Sequence, residues 1–201
     1  MDLNLTVALV SSIFTAVIGP IAVHVVKERL EKRNKKDILR ESIENNTLVS
    51  NKVEEIKESM KADRVWITQF HNGGTFYPTG KSIQKFSMFY ETVSQGTESI
   101  QASFQQIPIS LFSKSINHLL TDDIIAIPNF KDETIATYGL KYIAEESGCK
   151  SGYLFAIRSI EGKFVGILGV DYVKHKTNLS IDDINELLVE ATTIGGVLNK
   201  H

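Results

Sequence analysis

Hydrophobic and polar positions along this chain fall into patterns of different period, and each period predicts a different element. From Leu3 to Val26 the sequence LNLTVALVSSIFTAVIGPIAVHVV holds no Lys, Arg, Asp or Glu. A helix rises about 1.5 Å per residue, so this stretch is long enough to cross a ~30 Å hydrocarbon core and predicts a transmembrane anchor over 1–26. The competing reading is a helix buried whole in a soluble core. Between Asp37 and Met60 the apolar residues Leu39, Ile43, Val49, Val53, Ile56 and Met60 recur mainly at spacings of three and four among Lys and Glu, which predicts an amphipathic helix. RVWITQF, residues 64–70, sets Val65, Ile67 and Gln69 against Trp66, Thr68 and Phe70 and predicts a central strand ending at the turn-forming HNGG.

QKFSMFYETV predicts a second strand with Phe86, Met88, Tyr90 and Thr92 on one face, joined to the first by the long loop HNGGTFYPTGKS. Pro108 to Leu120 reads as helical, DIIAIPN as a short strand stopped by Pro128, and Asp132 to Glu146 as a helix closed by Gly148. SGYLFAIRS, a turn at EGK and FVGILGVDYV predict a hairpin. The last helix, Leu179 to Leu198, opens with Ser180 and Asp183 as a capping pair and carries the apolar stripe Ile181, Ile184, Leu187, Leu188, Ala191, Ile194, Val197 and Leu198.

Charge changes the picture at one end. Residues 1–36 carry +3, leaving −5 for the rest of a chain whose formal net charge is −2. Lys27, Arg29, Lys32, Arg33, Lys35 and Lys36 form a basic juxtamembrane segment over 27–36, which places residues 37–201 on the cytoplasmic side of a single-pass protein. An acidic domain argues against broad nucleic-acid binding, since phosphate neutralisation needs clustered Lys and Arg. With Cys149 as its one cysteine the chain forms no internal disulfide. His71, His118 and His175 stand apart without a metal-ligand spacing, so no metal site and no catalytic residue is assigned.

The order of elements resembles the GAF domain family, and residues 148–198 carry the resemblance: Gly148, Ser151, Gly162, Gly166, Leu168, Asp182 and Asp183 occupy places comparable to that family's C-terminal half. The resemblance implies an α/β (α+β) domain over 37–201. Its central antiparallel sheet would have five or six strands, with the first and last helices on one face and a ligand pocket on the other. It also implies a homodimer through helices 37–60 and 180–200. ADRVWITQFHNGG followed by TGKSIQKFSMFYE further resembles membrane-anchored GAF-like proteins of tailed bacteriophages.

Candidate chemistry is sparse. GGTFYPTGKS is one residue too long for a phosphate-binding loop, and a strand follows where a helix is needed. His71, Asn72, Thr75, Tyr77, Lys81 and Ser82 make a donor-rich, aromatic loop suited to closing over a small polar molecule, and Asn129 and Tyr138 are taken with them as ligand-binding candidates. Asn129 to Glu133 holds the letters of the cyclic-nucleotide signature of GAF domains in the wrong order and spacing, which favours a turn and helix start. Cys149 beside Lys150 is either an activated thiol or a small core filler. GAF-type methionine sulfoxide reductases use more than one cysteine, and a covalently held bilin needs a suitably placed one. The expectation is a membrane-tethered, non-catalytic domain that binds or senses a small molecule whose identity, like that of any cofactor, the sequence does not give. The alternative is a membrane-recruited scaffold that acts by dimerisation.

Overall fold

The structure is a computed structural model that describes residues 19–34, 38–76, 78–132 and 140–198. The chain divides into two compact units, 1–44 and 45–201. In the first unit, α1 spans Gly19–Asn34. Residues 3–18 of the expected membrane span lie outside the described residues, and among the described ones no helix is long and apolar enough to cross a membrane.

The second unit is built on one sheet. After α2 (Ile38–Ser59), whose first turns belong to the first unit, come β1 (Arg64–Thr75), β2 (Ser82–Val93) and a two-residue β3 (Ile107–Pro108). Then follow α3 (Ser113–Asp122), β4 (Ile124–Ile127), α4 (Leu140–Glu146), β5 (Ser151–Arg158), β6 (Phe164–Tyr172) and α5 (Ile181–Leu198). The six strands lie in the order β3-β2-β1-β6-β5-β4, and every neighbouring pair is antiparallel. The α+β architecture is as expected.

Alternation in the strands divides the interior into two cores. Val65 and Ile67 of β1 join Tyr153, Phe155 and Ile157 of β5 and Leu168, Val170 and Tyr172 of β6 under Val49, Val53 and Ile56 of α2 and Leu187, Ala191 and Ile194 of α5. Helix α5 seats closely on β5, because a Cβ at Gly195 would collide with the carbonyl oxygen of Arg158. The capping pair forms: Ser180 N donates to Asp183 Oδ2 at 2.8 Å, and Asp183 N donates to Ser180 Oγ at 3.1 Å. On the opposite face, Trp66, Phe86, Met88, Leu154, Ala156 and Ile167 lie under Phe104, Phe112, Ile116, Leu119, Phe130 and Ala144.

Several expectations are corrected. The pairing of β1 with β2 slips between Ile67 and Thr68, so that Ile67 faces Tyr90 while Thr68 faces Met88 and Phe89 is the extra residue of a bulge. Phe86 and Met88 therefore join the second core, whereas Tyr90 packs against the first, and the predicted single face of β2 is broken in two. HNGG is not a turn. It continues β1 through a second irregularity between Asn72 and Thr75, with Gly74 at φ +99°, and the reversal comes at residues 76–81, where Phe76 N donates to Lys81 O at 2.8 Å. The stripe on α2 buries Val49 to Met60 but leaves Leu39 and Ile43 exposed. The helix expected over 108–120 splits into a 3-10 turn, Ile109–Phe112, and α3. Of the helix expected over 132–146, residues 133–139 lie outside the described residues and α4 begins at Leu140.

Candidate functional site

The second face of the sheet is covered by short pieces, and between them and the strands lies a partly open cavity of about 50 Å³. Its floor is Trp66 and Thr68 of β1, Phe86 of β2, Ile167 and Asp171 of β6, Gly152 and Leu154 of β5, and Ile127 of β4. Its roof is Ile100 and Phe104 from the segment after β2, Phe112, Ser115 and Ile116 at α3, Phe130, and Ile143, Ala144, Ser147 and Cys149 at and after α4. Register explains the floor: Arg64, Trp66 and Thr68 face Asp171, Gly169 and Ile167 across the β1–β6 ladder. A Cβ at Gly169 would overlap the indole of Trp66, so the absent side chain gives the ring its place.

One end of this floor is polar. Arg64 is fully buried, with Nη1 3.2 Å from Asp171 Oδ2, Nε 3.4 Å from Glu91 Oε1, and Nη2 donating to the carbonyl of Glu98 at 2.7 Å. Trp66 Nε1 donates to the same Asp171 oxygen at 3.0 Å. Burial pushes the Asp171 carboxyl up, opposed by the Arg64 guanidinium and the Trp66 indole N–H. Glu91 in turn accepts from the backbone N–H of Ile100 at 2.9 Å and of Gln101 at 3.2 Å, which fastens the covering segment to β2. Thr68 Oγ1 is buried and has no hydrogen-bond partner. Asp63, at the start of this region, accepts from the N–H groups of Val173 and Lys174, each at 2.8 Å, and from Ser94 Oγ at 3.1 Å. Burial pushes its carboxyl up, but these bonds together outweigh burial and hold it below the ordinary carboxylate range.

None of the described residues taken from the sequence as ligand-binding candidates lines this cavity, whereas Cys149, considered there as a thiol or a core filler, does. His71, Asn72 and Ser82 do come together on the two-stranded ribbon at the far end of β1 and β2. There His71 Nε2 is 2.9 Å from Ser87 Oγ, and Asn72 Oδ1 accepts from Gln84 Nε2 at 3.0 Å and Ser82 Oγ at 3.4 Å. Thr75 and Lys81 are exposed near the tip of that ribbon. Asn129 shapes a turn, its Oδ1 accepting from Lys131 N at 3.2 Å, next to the cavity-lining Phe130. Tyr77 and Tyr138 lie outside the described residues. Cys149 is a core residue: burial pushes its thiol up, the opposite of what a nucleophile needs, and Sγ lies 3.1 Å from Ser151 O. Lys150 does not activate it. An open cleft of about 260 Å³ beside α2 is lined by Ser50, Glu54, Tyr90 and Thr92, but Glu54 is already taken by Lys57 and Thr92.

Sequence reasoning missed Arg64, Thr68 and Asp171. Two were visible as charges set inside otherwise apolar strands, RVWITQF and FVGILGVDYV, where a buried charge needs a partner. Thr68 gave no such signal.

No family model matches the chain, and no curated protein matches it in sequence. Solved structures do match it in shape. The blue-light-absorbing form of the PixJ GAF domain of Thermosynechococcus elongatus superposes with a TM-score of 0.64 at 15% identity, covering 81% of this chain and 89% of that one. A far-red cyanobacteriochrome photoreceptor gives 0.62 at 15% identity, over 89% and 96% of the two chains. The protein JSC1_58120g3, in its far-red-absorbing dark state with bound biliverdin IXa, gives 0.57 at 14% identity, over 78% and 94%. At such identities the likeness speaks for the fold alone, and the fold of this chain is GAF-like.

Proposed function

We propose that this chain is a non-catalytic, GAF-like binding domain that holds a small molecule between the sheet and its short covering elements. The observation that carries the reading is the aromatic-lined cavity with buried polar groups at its edge, on the sheet face that α2 and α5 do not cover. A bilin of the kind bound by JSC1_58120g3 does not fit these residues. About 50 Å³ is far too little for a tetrapyrrole, among the described residues no cationic side chain lines the space to meet its carboxylates, and the one cysteine is buried in the core. The molecule is therefore of another kind.

The proposal includes a tether. Residues 3–26 are uncharged and the six cations of 27–36 follow them, a pattern that supports a membrane anchor with the domain on the cytoplasmic side. Native mass spectrometry of the full chain, extracted in mild detergent from cells that make it, tests the binding reading: a retained small mass is expected. A bare chain in every preparation, unstabilised by a small-molecule extract of the same cells, overturns it. Self-association of helices 37–60 and 180–200 is the second reading, favoured by Leu48, Ile181 and Val189, which are apolar and exposed on α2 and α5. Sedimentation of the detergent-solubilised chain tests it, and a strict monomer at high concentration counts against it.

A further inference from the structure

Several polar atoms on the described cavity wall are already paired, and one that is buried without a partner narrows the chemistry. Ser147 Oγ donates to Ala144 O at 3.3 Å, the Cys149 thiol faces Ser151 O at 3.1 Å, and Ser115 has an interaction of its own. Asp171 Oδ2 already receives both Arg64 and Trp66. Thr68 Oγ1, in a residue only 1% exposed, receives and gives nothing, although it is both a donor and an acceptor and borders the empty space. A buried hydroxyl left in this state is costly, and a bound atom at hydrogen-bond distance would remove the cost.

Charge narrows the choice further. Among the described residues no Lys, Arg or His lines the cavity, so an anion entering it would give up its hydration and meet none of these cations. A cation would have to compete with Arg64, whose guanidinium is buried and closed on Asp171, Glu91 and the Glu98 carbonyl. An uncharged molecule meets neither obstacle. Trp66, Phe86, Phe104, Phe112 and Phe130 supply ring faces and edges around the space. The volume admits only a few heavy atoms as it stands, so a six-membered ring requires Ile100 and Phe104 to yield. Both belong to the segment between β2 and β3, which hydrogen bonds rather than a helix stripe fasten to the sheet: Met88 N donates to Phe104 O at 2.8 Å, and Ile100 N donates to Glu91 Oε1 at 2.9 Å.

We infer that this cavity takes a small, uncharged, mainly apolar molecule, of the class of short alcohols and phenols, which presents one hydrogen-bonding atom to Thr68 Oγ1. This rests on the small-molecule reading above and narrows it to neutral ligands. Trp66 is the only tryptophan of the chain and borders the cavity, so its emission reports occupancy. The test titrates the full chain with phenol, toluene and benzoate, which share a ring and differ in the group offered to Thr68.

Phenol is expected to shift Trp66 emission saturably, toluene to bind about tenfold more weakly for want of the hydrogen bond, and benzoate not to bind. In Thr68→Val, which keeps the side-chain shape, the advantage of phenol over toluene should vanish while toluene binding persists, and that persistence certifies the fold of the variant. Benzoate binding as well as phenol, or an undiminished phenol preference in Thr68→Val, overturns the inference. So does the absence of a saturable shift with any of the three. A charged molecule recovered by native mass spectrometry and displaced by none of the probes would also overturn it while leaving the broader binding reading intact; a bare chain that responds to no probe brings down both.

Discussion

One sheet is covered in two ways. On one face lie α2 and α5, 22 and 18 residues long, whose apolar stripes meet Phe155, Ile157, Leu168 and Val170 in a core built by periodicity alone. On the other lie, among the described residues, 3-10 turns of three and four residues and helices of ten and seven. Elements this short present no continuous stripe, and polar bonds fasten part of the cover: Glu91 to the backbone of residues 100 and 101, Arg64 to the carbonyl of Glu98, and Gln105 Nε2 to the carbonyl of Met88 at 2.8 Å. Long stripes make a permanent wall, whereas a cover of short pieces can open locally without unfolding the domain. The cavity lies under the second kind.

The contrast can be broken from either side. Phe155→Ala cuts the helix-covered core at a fully buried ring and should lower stability by about 3–5 kcal/mol in denaturant unfolding. Arg64→Met strikes the other face, leaving Asp171 and Glu91 without their cation, and should cost about 3 kcal/mol at neutral pH. Removing the cation raises the folded-state pKa of Asp171 further, so stability should fall as pH rises from the ordinary carboxylate range towards that value and recover in part on acidification. A loss independent of pH would mean that the guanidinium acts through packing alone.

Smaller effects sharpen the comparison. Asp63 is held below the ordinary carboxylate range, so its contribution is present at neutral pH and lost as pH falls below that range and through its folded-state value. Asp63→Asn should cost about 1–2 kcal/mol at neutral pH and flatten the acid limb of the stability curve, which urea midpoints across that range would read. Thr68→Val should change stability by no more than about 1 kcal/mol, and upward, because it removes an unpaired buried hydroxyl. A clear loss would show that the hydroxyl has a partner in solution.

Much of the fold was legible because period and burial agree. The alternation of Val65 and Ile67 against Trp66 and Thr68 divided β1 between two layers, though not which set met the long helices, and Ser180 with Asp183 marked the start of α5. Where reading failed, a local exception had overridden the period: one extra residue at Phe89 in β2, and glycines at 73 and 74 that continue a strand instead of turning it. The site was less legible. Loop residues His71 to Ser82 drew attention through their density of donors, yet the cavity is assembled from residues 66 to 171, contributed a few at a time by most elements of the domain. Such an assembly has no local signature. Arg64 and Asp171, opposed in register on neighbouring strands, were the trace it left in the sequence.

The bulge at Phe89 sets a reading frame for everything that precedes it on β2. Deleting that one residue would leave Met88 opposite Thr68 and Tyr90 opposite Ile67 in one unbroken ladder, so the side chains of β2 on either side of it would keep the faces they now hold. Single substitutions at Phe89, half exposed, should pass with little effect, whereas a residue added or removed elsewhere in the strand would break the pairing that the bulge reconciles. The pairing on either side of this position, and not the residue at it, is what the fold holds constant.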